Sequence, residues 1–220
     1  MIEAPLAPAR AALSPPLSAL PEAMAGPLIG PHAVIHMAES MAERLGPWAT
    51  AAVLASAQIE EVPQADGGMI PEIEALRLHR WLLLKEPVEG FAITREAARR
   101  TADYIIANRI PGAAVALLRA LPARIAAPLL MRAIARHAWT FIGGGAFLAE
   151  SAWSFTIDRT AAEDPMPVPD STFEWYGAVF ERLFQRLVAG DCRIELAPVR
   201  GASEPVHHFR LVRGARERRA

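Results

Sequence analysis

Arg136-His137-Ala138-Trp139-Thr140-Phe141-Ile142-Gly143-Gly144-Gly145 leads directly into residues 146–157, and the hydrophobic period changes between the two stretches. Before the glycines the spacing is helical. Ala126, Leu130, Ala133, Ile134, His137 and Phe141 share one stripe, and Arg132 and Arg136 fall off it. After the glycines Trp153, Phe155 and Ile157 alternate, which predicts a strand. Helix, glycines, strand reads as a helix stop followed by a tight turn. A dinucleotide fingerprint needs the opposite order, with the strand before its glycines. One imidazole in an apolar stripe must be hydrogen-bonded or must bind something. A core histidine on a backbone carbonyl and a ligand-binding histidine are both open at this point.

Upstream, Gly30-Pro31 opens a helix over 30–45, and Gly46-Pro47 separates it from a second over 48–59. Pro71 starts a helix over 71–84, at the position where proline is best tolerated. Thr94 reads as the N-cap of a helix reaching about residue 109, with Glu96 at its positive end. Pro111-Gly112, Pro122 and Pro128 divide the helical stretch 113–141. Downstream, a polar loop over 158–170 precedes Ser171-Thr172-Phe173-Glu174, which has capping-box spacing. Tyr176, Val179, Phe180, Leu183 and Leu187 then keep helical register. Residues 192–196 and 206–212 read as a closing antiparallel pair. Helices first and strands late predict an α+β fold, with N-terminal helices packed on a C-terminal antiparallel sheet. The expected organisation is a flexible Pro/Ala-rich leader (1–27), one ligand-binding domain (28–213) and a basic tail (214–220).

At 220 residues, 52% hydrophobic and 21% charged, the chain can bury a substantial core as one domain. The formal net charge of −1 argues against nucleic acid as the main partner. The charge is uneven: −6 over residues 1–94, +6 over 95–136 and −1 over 137–220. The eight arginines of the basic middle read either as solvated helix faces or as a site for an acidic ligand or partner. Cys192 is the only cysteine, so no internal disulfide can form, and a reducing, cytoplasmic setting is expected. No segment has the ~18 uninterrupted apolar residues of a membrane span. His32 and His36 stand four apart, a chelating spacing without a recognisable third ligand. His207 and His208 are adjacent in a strand, so they point to opposite faces.

Thr101-Ala102-Asp103-Tyr104-Ile105, Asn108-Arg109-Ile110-Pro111 and His137-Ala138-Trp139-Thr140-Phe141 followed by glycines resemble the bacteriochlorophyll-synthesis J protein family, which carries the 4-vinyl reductase domain. The resemblance covers roughly residues 28–213. It implies helices on an antiparallel sheet around an apolar pocket, a fold similar to that of a vesicle-tethering subunit. Related domains occur in phenol-sensing regulators. Many relatives place two cysteines near a glutamate in the last strands, some holding zinc. Residues 195–209 contain no cysteine, with Pro198 or Val199 and His207 near those positions, so no structural zinc is expected.

The family name implies reduction of a vinyl group on a tetrapyrrole, the 8-vinyl group (4-vinyl in older numbering). That chemistry requires a hydride from NADPH or a flavin, and the sequence shows no motif for either. Asp103 or Tyr104 could supply only the proton, and no catalytic residue is assigned. The resemblance also fits a carrier, in which the ligand is a magnesium porphyrin and no cofactor is intrinsic. Such a protein wants an aromatic lining, one axial histidine and arginines for the peripheral carboxylates. Trp139, Phe141, Trp153, Phe155 and Tyr104 are the candidate lining, His137 the candidate axial group on magnesium, and Arg109, Arg132 and Arg136 the candidate carboxylate partners. The partners implied are pathway enzymes such as magnesium chelatase or the magnesium-porphyrin methyltransferase. A homodimer and a sensor or docking adaptor are the remaining readings.

Overall fold

The computed structural model describes residues 26–160, 167–198 and 206–214; the leader up to residue 25 and the tail from 215 lie outside them. In chain order the elements are β1 (Leu28–Ile29), α1 (His32–Ser56), β2 (Ile70–Pro71), α2 (Glu72–Lys85), α3 (Gly90–Asn108), α4 (Gly112–Ala120), α5 (Ala123–Arg136), a 3₁₀ turn (Ala138–Thr140), β3 (Ala146–Ala149), β4 (Ser154–Asp158), α6 (Asp170–Leu187), β5 (Cys192–Pro198) and β6 (Val206–Arg213). The fold is α+β. Four strands form an antiparallel sheet in the order β3-β4-β6-β5, while β1 and β2 make a separate two-stranded pair. Gly46 takes φ 80° and ψ 171° inside α1, so this helix is two segments broken where Gly46-Pro47 predicts a break.

Helix α6 packs against both α3 and β5 and is buried on nearly every side, from Phe173 and Trp175 to Phe184 and Leu187. A helix with most of its positions buried belongs at the centre of a fold. Its Phe180 stacks on Phe155 of β4 with ring centres 4.0 Å apart, and Phe155 stacks in turn on Phe209 of β6 at 4.6 Å. Phe147 closes on Phe180 at 5.6 Å. Each buried ring contributes roughly 1.5–3 kcal/mol by burial, and well-placed ring pairs about 1 kcal/mol more. This aromatic stack fastens the sheet to the helical layer.

Four local expectations are corrected by packing. Residues 146–157 form a hairpin rather than one strand, because Trp153 N and Ser154 Oγ both bond Ser151 Oγ, at 3.0 and 2.8 Å, and turn the chain without glycine or proline. Helix α3 starts at Gly90, and Thr94 is fully buried inside it instead of capping it. The capping box at Ser171 does not close, because Ser171 Oγ bonds His79 Nδ1 (3.0 Å) and Glu174 meets Arg95 (3.1 Å). Helix α5 runs through the exposed Pro128 and ends at Arg136, so the glycines are not its stop. His207 stacks on Phe173 of α6 at 3.7 Å, and His208 faces Thr156 and Glu150 from the other side of the sheet.

Candidate functional site

The end of α5 decides where His137 stands. His137 is the C-cap residue, with φ −109° and ψ 10°, and it is exposed rather than set in the core. Its Nδ1 lies 2.8 Å from the Ala133 carbonyl oxygen. A carbonyl only accepts, so Nδ1 is the donor and Nε2 has no protein partner among the described residues. Thr140 Oγ1 donates to the His137 carbonyl at 2.8 Å and holds the 3₁₀ turn against it. On that turn Trp139 is 64% exposed. Arg132 and Arg136 are exposed on the last two turns of α5, with no ion-pair partner among the described residues. Phe141 is half-buried, edge-on to Phe147 (5.9 Å) and Phe180 (6.1 Å), and its carbonyl accepts from Tyr176 Oη at 3.1 Å.

Tyr104 and Arg109 gather elsewhere, around the start of α1. The Tyr104 ring stacks on His32 with centres 3.6 Å apart, and the Arg109 guanidinium sits 5.8 Å from the Tyr104 ring centre. His36 Nδ1 bonds Thr101 Oγ1 at 2.9 Å, and because that hydroxyl donates to the Ala97 carbonyl, His36 must be the donor. Burial holds both histidines neutral, at pKa values of about 4, helped for His32 by His36 and Arg109 and for His36 by Arg100. Gly30 N donates to the Thr140 carbonyl at 2.8 Å, which ties the entry to α1 onto the Trp139 turn. That bond is the structural link between the two groups of candidate residues.

Other candidates are tied up in packing or in ion pairs. Phe155 has one ring face on Phe180 and the other on Phe209, so neither is open. Trp153 packs half-buried against Phe184 at 5.8 Å. Asp103 is held by Arg182 through two hydrogen bonds of 3.0 and 2.8 Å, bracing α3 to α6.

One charged cluster escaped the reading of the sequence. Arg159 and Glu72 are both buried, and Arg159 Nη1 lies 2.5 Å from Glu72 Oε1 and also donates to the Ile142 carbonyl. Glu72 Oε2 accepts from Gly144 N at 3.1 Å. Gly143 has φ +55°, and a Cβ there would overlap the Glu72 carboxylate; one on Gly145 would stand 2.7 Å from the Asp158 carbonyl oxygen. The glycines therefore make room for a buried ion pair joining α2 to the end of β4. Tyr176 lies beside it, and burial pushes its phenol up from the ordinary value. The triple glycine was the one available sequence signal; nothing local pairs residues 72 and 159.

The chain is 39% identical to the bacteriochlorophyll synthase 23 kDa chain of Cereibacter sphaeroides, over 77% of this chain and 90% of that one. It is 37% identical to the protein of the same name from Rhodobacter capsulatus, over 77% of this chain and 79% of that one. The chain belongs to the bacteriochlorophyll synthase 23 kDa chain family. The name of this family places its members in the making of bacteriochlorophyll. No family model matches the chain. Among solved structures, a point mutant of the Fe(II) unliganded H-NOX protein from K. algicida shares the fold, with a TM-score of 0.55 and 11% identity, covering 86% of this chain and 98% of that one. An H-NOX family protein studied for its heme distortion matches with a TM-score of 0.51 and 9% identity, over 83% and 93% of the two chains. At such identities the likeness concerns the fold alone. Within the family, the helical half and the sheet of this member correspond to that helix-plus-sheet arrangement.

Proposed function

We propose that this member of the 23 kDa chain family serves bacteriochlorophyll synthesis by binding a magnesium tetrapyrrole intermediate at the end of α5 and passing it between pathway enzymes. The observation that carries the proposal is the state of His137. Its Nδ1 proton is committed to the Ala133 carbonyl, which leaves Nε2, on an exposed side chain, as the nitrogen available to a metal. That is the form a metal requires of histidine, with the second nitrogen oriented by a backbone acceptor. Trp139 offers an exposed aromatic face two residues on, and Arg132 and Arg136 offer free guanidinium groups to ring carboxylates. Magnesium belongs to the cargo here, not to the protein. The H-NOX family, to which one fold neighbour belongs, is associated with heme, another tetrapyrrole, which is consistent with this ligand class.

In this reading Arg132, Arg136, His137 and Trp139 meet the ligand directly. Phe141 supports the turn from behind, and Trp153 and Phe155 keep the sheet rigid beneath it. Tyr104 and Arg109 border the site across the Gly30–Thr140 bond. The chain contributes binding and shielding, and hydride transfer is left to other proteins.

The test mixes purified protein with a divinyl magnesium porphyrin under anaerobic conditions, with and without reduced nicotinamide. A shifted absorption band with both vinyl groups intact is expected. Cofactor-dependent loss of a vinyl group with turnover would replace the carrier reading by a reductase. His137→Ala should remove the band shift; an unchanged shift in a folded variant takes His137 out of the site. Transfer of the bound pigment to the magnesium-porphyrin methyltransferase, faster than from solution, is the expected sign of delivery.

A further inference from the structure

We propose that the α4–α5 hairpin is a docking surface for an anionic lipid bilayer. The hairpin is nearly all apolar in sequence, yet much of it faces outward. In α4 only Leu118 is buried, and Leu117 is 55% exposed. On α5, Ile125 (42%) and Leu129 (46%) lie one turn apart on the outer face, opposite the buried Ala126, Ala127, Leu130 and Met131. Large aliphatic side chains grouped in this way mark an interaction surface.

Charge identifies the occupant. Between Asp103 and Glu150 the chain has five arginines and neither aspartate nor glutamate. Arg124 has no ion-pair partner among the described residues, and Arg119 donates only to the Arg186 carbonyl, at 3.2 Å. The hairpin rests on α6, whose Glu174 and Glu181 are turned to Arg95 and, for Glu181, also to the Ile194 amide. Among the described residues no carboxylate forms an ion pair with the arginines of the hairpin. Aliphatic side chains flanked by arginines, whose stems can snorkel, suit the boundary between acyl chains and phosphate headgroups. With one buried residue in nine, α4 stands out from the helical layer and presents a ridge rather than a groove. A fluid planar surface accepts such a ridge, whereas a protein partner would need a matching cleft. No helix of the described residues is long and apolar enough to cross a membrane, so the contact is peripheral.

The inference stands apart from the pigment site because its defining residues, Leu117, Arg119, Arg124, Ile125 and Leu129, take no part in that site. The full chain is sedimented with phosphatidylcholine vesicles, with and without phosphatidylglycerol, at low and high salt. Binding is expected only to the anionic vesicles, and weaker in salt. Each arginine near such a surface is worth roughly fivefold, so Arg119→Gln with Arg124→Gln should weaken partitioning about twenty-five-fold. Ile125→Ser with Leu129→Ser should abolish it. Both variants should keep the wild-type circular dichroism and the wild-type porphyrin band shift. The proposal is overturned if the wild type stays in the supernatant or if neither variant changes binding. Capture by polyglutamate with no vesicle binding overturns it in favour of an acidic protein surface.

Discussion

Replacing Gly143 by alanine should be among the most damaging single-methyl changes in this chain, for two separable reasons. The residue has φ +55°, where an L side chain costs about 1 kcal/mol or slightly more. The new Cβ would also occupy the place of the Glu72 carboxylate, which is buried against Arg159. Moving that carboxylate aside leaves a guanidinium without its partner, and breaking a buried pair costs roughly 3–5 kcal/mol. The expected loss is therefore about 4–6 kcal/mol, a large share of the ~5–15 kcal/mol that holds a domain folded. Glu72→Ala alone should cost about 3–5 kcal/mol by orphaning Arg159. In the double variant the clash has no target, so its loss should fall about 3–5 kcal/mol short of the sum of the singles. Equilibrium urea unfolding followed by far-UV circular dichroism measures all three. A Gly143→Ala loss below ~1 kcal/mol, or strict additivity in the double variant, would refute the link between the glycines and the ion pair.

Further outcomes follow from the same structure. His79 is fully buried against Ser171 with its pKa lowered to about 4, so the unfolded chain binds more protons between about pH 4 and 6.5. Stability should fall as pH drops through that window, and His79→Gln should flatten the slope in a pH series of unfolding curves. Phe180→Ala removes the ring between Phe155 and Phe147 and should cost about 3–5 kcal/mol, with a smaller loss in Phe180→Leu; thermal melts rank the two. Asp103→Ala breaks a part-exposed pair with Arg182 and should cost only about 1 kcal/mol, well below Glu72→Ala in the same assay.

The local alphabet of the fold was legible because it rests on period and breakers. Gly46-Pro47 broke α1 where expected, the alternation of Phe155 and Ile157 gave β4 its inward face, and His207 and His208 took opposite sides of the sheet. Phe180 and Leu183 marked α6 as buried on the predicted stripe. The hairpin turn at residues 150–153 was not legible, because its geometry comes from serine hydroxyls bonding backbone and one another. Of the candidate site, residue types were readable but grouping was not. Tyr104 met His32, and Trp139 met solvent, through contacts that no spacing rule encodes.

By itself the sequence determined most of the helical and extended stretches, that the fold is α+β, and which family the chain resembles. Those properties follow from torsional preference and from the apolar period of short segments, and both are written residue by residue. Only the tertiary structure decided that the glycines shelter a pair 87 residues apart, that Thr94 is core and not a cap, and that His137 stands at the surface with its Nε2 unused. The reason is common to all three. Which residues are buried, which reach the surface and which distant charges meet are set by the surfaces that pack together, so they are fixed by the closure of the whole chain.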